Sequence, residues 1–170
     1  MLKLIVALDE ERGIGKDNGI PWFIPGELGW VARTTKETTH PGTMNALIMG
    51  RKTWDSLPED KRPLTGRFNI VVTRDAGKVR GEPDFMCSSL EDALNVLDLE
   101  KVEHAFIFGG AGLYEEALNK GFVEEVLLTH VPGTHEADTF FPELPEHFTL
   151  SDTSLHEYGE VTVRREVWKA

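Results

Sequence analysis

The sequence predicts an α/β protein with a mixed, mostly parallel central sheet, about four flanking helices and a C-terminal antiparallel hairpin. Three observations predict it. Continuous apolar runs alternate with amphipathic stretches, the pattern switches to strict alternation after residue 145, and the apolar runs exit into glycine-rich or basic segments. At 170 residues the chain fits one domain, 1–170, in which folding hides about two-thirds of the surface exposed by the unfolded chain.

The elements follow in order. LKLIVAL (2–8) is too short to span a membrane and reads as a strand buried on both faces. A loop with Gly13, Gly15 and Gly19 leads to an amphipathic helix over GELGWVARTTK (26–36). NALIMG (45–50) and FNIVV (68–72) are buried strands separated by a helix over RKTWDSL (51–57). SLEDALNVL (89–97) is a helix with Ser89 as N-cap and acids in its first turn. HAFIF (104–108) is the next strand, followed by a helix over AGLYEEALNK (111–120) that Gly121 stops. After the strand EEVLLTHV (124–131), FTLSDTSLHEY and EVTVRREVW alternate around Gly159 as a hairpin does.

A net charge of −11 argues against a general nucleic-acid or anionic-membrane surface. Residues 51–80 run against that balance, with eight basic and four acidic residues. Such a segment is either a solvated basic face or a local site for phosphates or carboxylates. The one cysteine, Cys87, has no internal disulfide partner, which fits a reducing compartment and hence the cytoplasm. The six histidines lack metal-ligand spacing, and no Ser-His-Asp or Cys-His set marks a nucleophile, so no metal site is expected.

In open α/β sheets ligands bind outside the carboxyl ends of the strands. FGGAGLY (108–114) follows a strand and opens a helix, so its N–H groups suit a pyrophosphate, although a tight turn without a ligand would look the same. MGRKTW (49–54) puts Arg51, Lys52 and Thr53 in the first turn of a helix, where the macrodipole disfavours cations unless an anion offsets them. Arg74, after the neighbouring strand, could reach the same anion; two arginines and a lysine around one phosphate would be a 2′-phosphate site. KRPLTGR (61–67) is either a solvated basic turn or the setting for Arg67 as a bidentate carboxylate clamp.

The run DNGIPWFIPGEL (17–28) holds Glu27 among apolar neighbours. With Pro25 as the first helical residue, Ile24 would be the N-cap and could not share a capping box with Glu27. Leu28, Val31 and Ala32 then form the apolar stripe, with Glu27 at its edge as a partly buried carboxylate that needs a partner.

Taken together, IPWFIPGEL, IMGRKTWDSLP, RPLTGR, FGGAGLY and LLTH, followed by ADTFFP, resemble the dihydrofolate reductase family over nearly the whole chain. The resemblance implies an eight-stranded mixed sheet and reduction of 7,8-dihydrofolate to tetrahydrofolate with NADPH, in a cytoplasmic monomer that also binds antifolate inhibitors. It makes Glu27 the single ionisable residue of the pterin pocket, with Thr129 supporting it and Trp22 holding a water. Ile5, Val6, Ala7, Leu28, Val31, Leu57, Leu64 and Phe108 would line the substrate pocket, and Arg67 would clamp the glutamate tail. For the cofactor it implies Ala7, Ile14, Gly15, Ile20, Gly50, Arg51, Lys52, Thr53, Thr73 and Arg74. Phe108, Gly109, Gly110, Ala111, Gly112, Leu113 and Tyr114 complete that set, with a cis peptide bond in the double glycine. Glu27 stands where many bacterial relatives carry aspartate, and Val31 where many members carry an aromatic, which enlarges the pocket. Two other readings are a reductase of a related fold acting on a pyrimidine intermediate, and a non-catalytic folate- or nucleotide-binding module.

Overall fold

Successive side chains of a strand point to opposite faces, so an uninterrupted apolar run needs cover on both sides. The computed structural model, which describes residues 1–98 and 101–170, supplies that cover. Leu4, Val6 and Leu8 of β1 (Leu2–Leu8) pack on one face with Ala46 and Ile48 of β3 (Met44–Gly50), together with Leu90 and Ala93 of α3 (Leu90–Leu97) and Ala117 and Leu118 of α4 (Ala111–Asn119). Ile5, Leu47 and Met49 pack on the other face against Trp54 of α2 (Arg51–Ser56) and Trp30 and Val31 of α1 (Glu27–Lys36). Burying each such aliphatic side chain is worth about 1.5–3 kcal/mol.

The remaining strands of the main sheet are β4 (Arg67–Val72), β5 (Phe85–Cys87), β6 (Val102–Gly109), β7 (Glu125–His130), β9 (Thr149–Tyr158) and β10 (Val161–Lys169). Their order is β5-β4-β3-β6-β1-β7-β10-β9, eight strands in all, parallel from β5 to β7 and antiparallel where β10 joins β7 and β9. The expected strands, helices and hairpin are present. Ser89 accepts from the N–H of Asp92 at 3.1 Å as the N-cap of α3, and Gly121 and Gly159 take positive φ at the expected stops.

Three short strands were not expected from the sequence: β5, and the pair β2 (Gly13–Gly15) and β8 (Thr139–Phe140), which form a separate ladder. That ladder is anchored by buried Asp9, whose Oδ1 accepts from the N–H groups of Gly13 and Glu11 and whose Oδ2 accepts from that of His135. Burial pushes the Asp9 carboxyl up, but these three donors outweigh it and hold the group below the usual aspartate value. Asp9 thus fastens the loop after β1 to the segment before β8.

Two buried asparagines perform similar service. Asn45 donates to the carbonyls of Thr35 and Glu37 and accepts from the N–H of His104, tying the end of α1 to β3 and β6. Asn69 exchanges hydrogen bonds with both main-chain groups of Leu64 at 2.9 Å and donates to the carbonyl of Arg67. The turn carrying Leu64 is thereby held to β4, which begins at Arg67.

Candidate active site

A cavity of about 680 Å³ opens where β1, β6 and β7 end, between α1, α2 and the loop after β1. Ile5, Val6 and Ala7 form part of its wall, and with them Phe108, Gly109, Gly110, Ala111 and Tyr114 at the β6–α4 junction. Leu28 and Val31 contribute from α1, Thr53 and Leu57 from α2 and its end, Leu64 from the pinned turn and Arg67 from the start of β4. Ile14, Gly15, Ile20 and Trp22 come from the loop, and Thr129 from β7.

Glu27 lies in this wall with 6% of its surface exposed. It is the first residue of α1, not the third: Gly26 is the N-cap, in left-handed geometry with φ of 98°, and offers no side-chain cap. The apolar stripe of Leu28, Val31 and Ala32 faces the cavity, with Val31 also packed against the core. Leu28 is 63% exposed and all three border the cavity, while Glu27 and Thr35 are the buried positions. The helical period puts Glu27, Val31 and Thr35 in one row, about 12 Å from end to end at 1.5 Å per residue.

Each end of that row meets an arginine. At the far end Arg67 donates through Nη1 to Thr35 Oγ1 at 3.0 Å and through Nε to the Thr65 carbonyl, and burial pushes its guanidinium down from the ordinary arginine value. At the near end Arg165 of β10 donates through Nη1 to Glu27 Oε1 at 2.8 Å and through Nη2 to Oε2 at 3.0 Å. Nη1 also donates to Thr129 Oγ1 at 3.0 Å, and Nη2 to the Tyr158 hydroxyl. The guanidinium stacks on Trp30, 3.7 Å from the ring centre.

The buried acid is therefore paired with a cation that does not line the cavity, and the link from Thr129 to Glu27 runs through Arg165. Sequence reading missed Arg165. The signal was present, because Val161, Val163, Arg165 and Val167 share one face of an alternating strand and one of the four is charged. Asp60 and Lys61, on a short helical turn after α2, also border the cavity.

Of the expected phosphate-side residues, Thr53 lines the cavity and Arg51, Lys52, Thr73 and Arg74 flank it. Gly50 pairs with Val72, and Met49 with Gly109, so the exits of β3, β4 and β6 lie side by side. Arg51, Lys52, Thr73 and Arg74 emerge there, with Lys52 and Arg74 exposed. Arg51 is paired with Asp55 at 3.0 Å, so part of the cost of a cation in this first turn is already offset within the chain. Gly112 is exposed, and Leu113 packs against the core. The Gly109–Gly110 peptide is cis.

These residues fit a dinucleotide with a phosphate on its adenosine side. The first turn of α4 has no side-chain cap, leaving N–H groups for a pyrophosphate, and a Cβ added at Gly112 would meet nothing within 4 Å. The Tyr114 hydroxyl, by contrast, is spoken for: it donates to the Ile5 carbonyl at 2.8 Å and ties α4 to β1, and burial raises its pKa far above the ordinary tyrosine value. Among the described residues no cluster of metal-ligating side chains occurs, and no helix is long and apolar enough to cross a membrane.

The sheet, the cleft beyond the carboxyl ends of its parallel strands and the buried acid at a helix start define a doubly wound α/β protein with a ligand site at its strand ends. The family model for dihydrofolate reductase matches residues 1–166, and the chain belongs to that family. It is 40% identical over 149 residues to a dihydrofolate reductase of Drosophila melanogaster, covering 85% of this chain and 81% of the relative. Against a dihydrofolate reductase of Aedes albopictus it is 40% identical over 152 residues, covering 86% and 82%. A bifunctional dihydrofolate reductase-thymidylate synthase of Glycine max is 38% identical over 154 residues, which are 87% of this chain and 29% of that protein. The chain thus spans most of the single-activity relatives and less than a third of the bifunctional one.

Proposed function

We propose that this protein reduces 7,8-dihydrofolate to tetrahydrofolate with NADPH. The observation that carries the reading is Glu27, a carboxylate buried in the wall of an otherwise largely apolar cavity, where it suits the N–H edge of a planar heterocycle. A carboxylate has about four lone-pair positions, and Arg165 takes one on each oxygen, leaving an outer acceptor for a donor on the 2-amino and N3 edge of a pterin. Ile5, Ala7, Leu28, Val31 and Phe108 cover the ring and its p-aminobenzoyl neighbour, and Arg67, at the other end of the row on α1, receives the tail carboxylate.

Bound NADPH supplies the hydride that pterin C6 accepts. The chain's own work is orientation: Glu27 fixes the pterin edge and, with Trp22 nearby, orders the water that passes a proton to N5. Gly109, Gly110 and the first turn of α4 hold the pyrophosphate, and Arg51, Lys52 and Arg74 the 2′-phosphate. Antifolate inhibitors occupy the dihydrofolate end of the cavity. The reading extends to a cytoplasmic compartment, which the lone, half-buried Cys87 supports, and to a monomer acting as one unit over 1–170.

Loss of NADPH absorbance, followed with and without dihydrofolate, tests the proposal. Turnover that depends on dihydrofolate supports it; binding of both ligands without turnover, or turnover on a pyrimidine alone, overturns it.

A further inference from the structure

We propose that Arg165 is a positioning and specificity-determining residue: it turns the pocket acid into half of a neutral pair, so that the site loses the usual advantage of a carboxylate for cationic heterocycles. The inference rests on the dihydrofolate reading above.

Burying a guanidinium costs several kcal/mol unless its hydrogen-bonding capacity is met, and Arg165 is only 6% exposed. Its surroundings are otherwise apolar: Val163 on the same strand face is fully buried, in a cluster with Ile24 and Val131. What the site provides is a set of partners converging on Glu27. Both Nη atoms reach its two oxygens, Thr129 stands opposite Arg165 in the β7–β10 ladder and accepts a third bond, and Tyr158 a fourth. Trp30 covers the guanidinium face. Among the described residues, Nε alone of this guanidinium has no partner.

The backbone is shaped to the same end. A Cβ at Gly26 would meet the Tyr158 ring at 2.8 and 2.9 Å, so the residue before Glu27 must be glycine for Tyr158 to reach the guanidinium. Gly26 also has φ of 98°, which other residues seldom adopt.

Arg165 does not line the cavity, whereas Glu27, Thr129 and Trp30 do. A ligand therefore meets a carboxylate already paired with a cation that the cavity does not expose. A neutral amino-oxo ring donates N–H to the outer lone pairs that Arg165 leaves on Glu27. A protonated diamino ring makes the same contact, but its positive charge now faces a pair of zero net charge in place of an anion. Discrimination between ligands of one shape and different charge is then a property of Arg165.

The test compares a 5-benzyl-2,4-diaminopyrimidine with its 2-amino-4-oxo counterpart, measuring Kd at a pH where the first is protonated. Wild type is expected to bind the two within about tenfold of one another, which is 1.4 kcal/mol. Arg165→Met should shift the ratio toward the cation by tenfold or more, and Arg165→Lys, which keeps the charge, should hold it near wild type. An unchanged ratio in Arg165→Met overturns the proposal. If that variant does not fold, wild type decides: a preference of a hundredfold or more for the cation overturns it, and near-equal binding supports it. Dihydrofolate-dependent turnover of wild type is measured alongside. Its absence removes the underlying functional reading, whereas turnover with an unmoved ratio removes the assignment of Arg165 alone.

Discussion

Thr35 Oγ1 and Arg67 Nη1 stand 3.0 Å apart, with the Thr35 hydroxyl in turn donating to the Val31 carbonyl at 2.8 Å. Arg67 is therefore aimed by α1 itself, at the opposite end from Glu27. Arg67→Ala should raise KM for dihydrofolate with little change in kcat, by the roughly 1.5–3 kcal/mol that a charged hydrogen bond contributes. Thr35→Val should give a smaller loss in the same direction. A pterin lacking the glutamate tail should be indifferent to both, and steady-state kinetics on the two substrates checks this.

Glu27→Gln keeps the size of the side chain and removes its charge. The hydride step near neutral pH should fall by about 10²–10⁴, as for loss of acid–base assistance, with NADPH binding unchanged. Single-turnover rates are the measurement. Near-normal activity would reduce Glu27 to a helix-end residue.

The same substitution leaves Arg165 as an unmatched buried charge, which should lower stability by about 3–5 kcal/mol. Arg165→Met should do likewise from the other side. Combining them removes both charges, so the double variant should recover much of the loss in urea unfolding while remaining inactive. Additive losses would show that the two side chains are not energetically coupled.

Arg51 and Arg74 emerge at neighbouring strand ends. Replacing both with Ala should narrow the preference for NADPH over NADH, each charged bond contributing roughly 1.5–3 kcal/mol, with NADH kinetics nearly unaltered. An unchanged ratio of kcat/KM values removes the site. Asp55, which holds Arg51 at 3.0 Å, gives a further check: Asp55→Ala should leave the preference in place.

Glu103 gathers the turn before β3. The main-chain N–H of Thr39 is the chief cause, with the His40 ring and N–H adding to it, and together they outweigh burial and hold the carboxyl down at about 2, against an ordinary value of 4.5. A depressed folded-state value means stability that is complete above 4.5 and is lost as pH falls toward 2. The urea midpoint of wild type should drop more steeply over that window than that of Glu103→Gln, with the curves approaching one another at its acid end.

Much of the fold was legible because the information was local. LKLIVAL, NALIMG and FNIVV are strands buried on both faces, and an unbroken apolar run says so without reference to any other part of the chain. Ser89 and Gly121 bound their helices by bonds that span only a few residues. The glycines of FGGAGLY and the acid of PWFIPGEL were likewise visible, since each is conspicuous against its immediate neighbours. Strands β2, β5 and β8, of two or three residues, are too short to carry a period and exist only because a partner strand completes them.

The environment of Glu27 was decided elsewhere. Its partner lies 138 residues away and is brought to it by the antiparallel seating of β10 on β7, which sets Arg165 opposite Thr129. The helix begins at Glu27, and not at Pro25, because Gly26 turns left-handed beneath Tyr158, a residue of the same distant hairpin. The sequence by itself determined the architecture and the presence of a buried acid, since hydrophobic periodicity and backbone preference act over a few residues. Only the tertiary structure decided that this acid is half of a neutral pair, because the strength of a charge depends on what lies within a few ångströms of it, and that is set by long-range strand pairing.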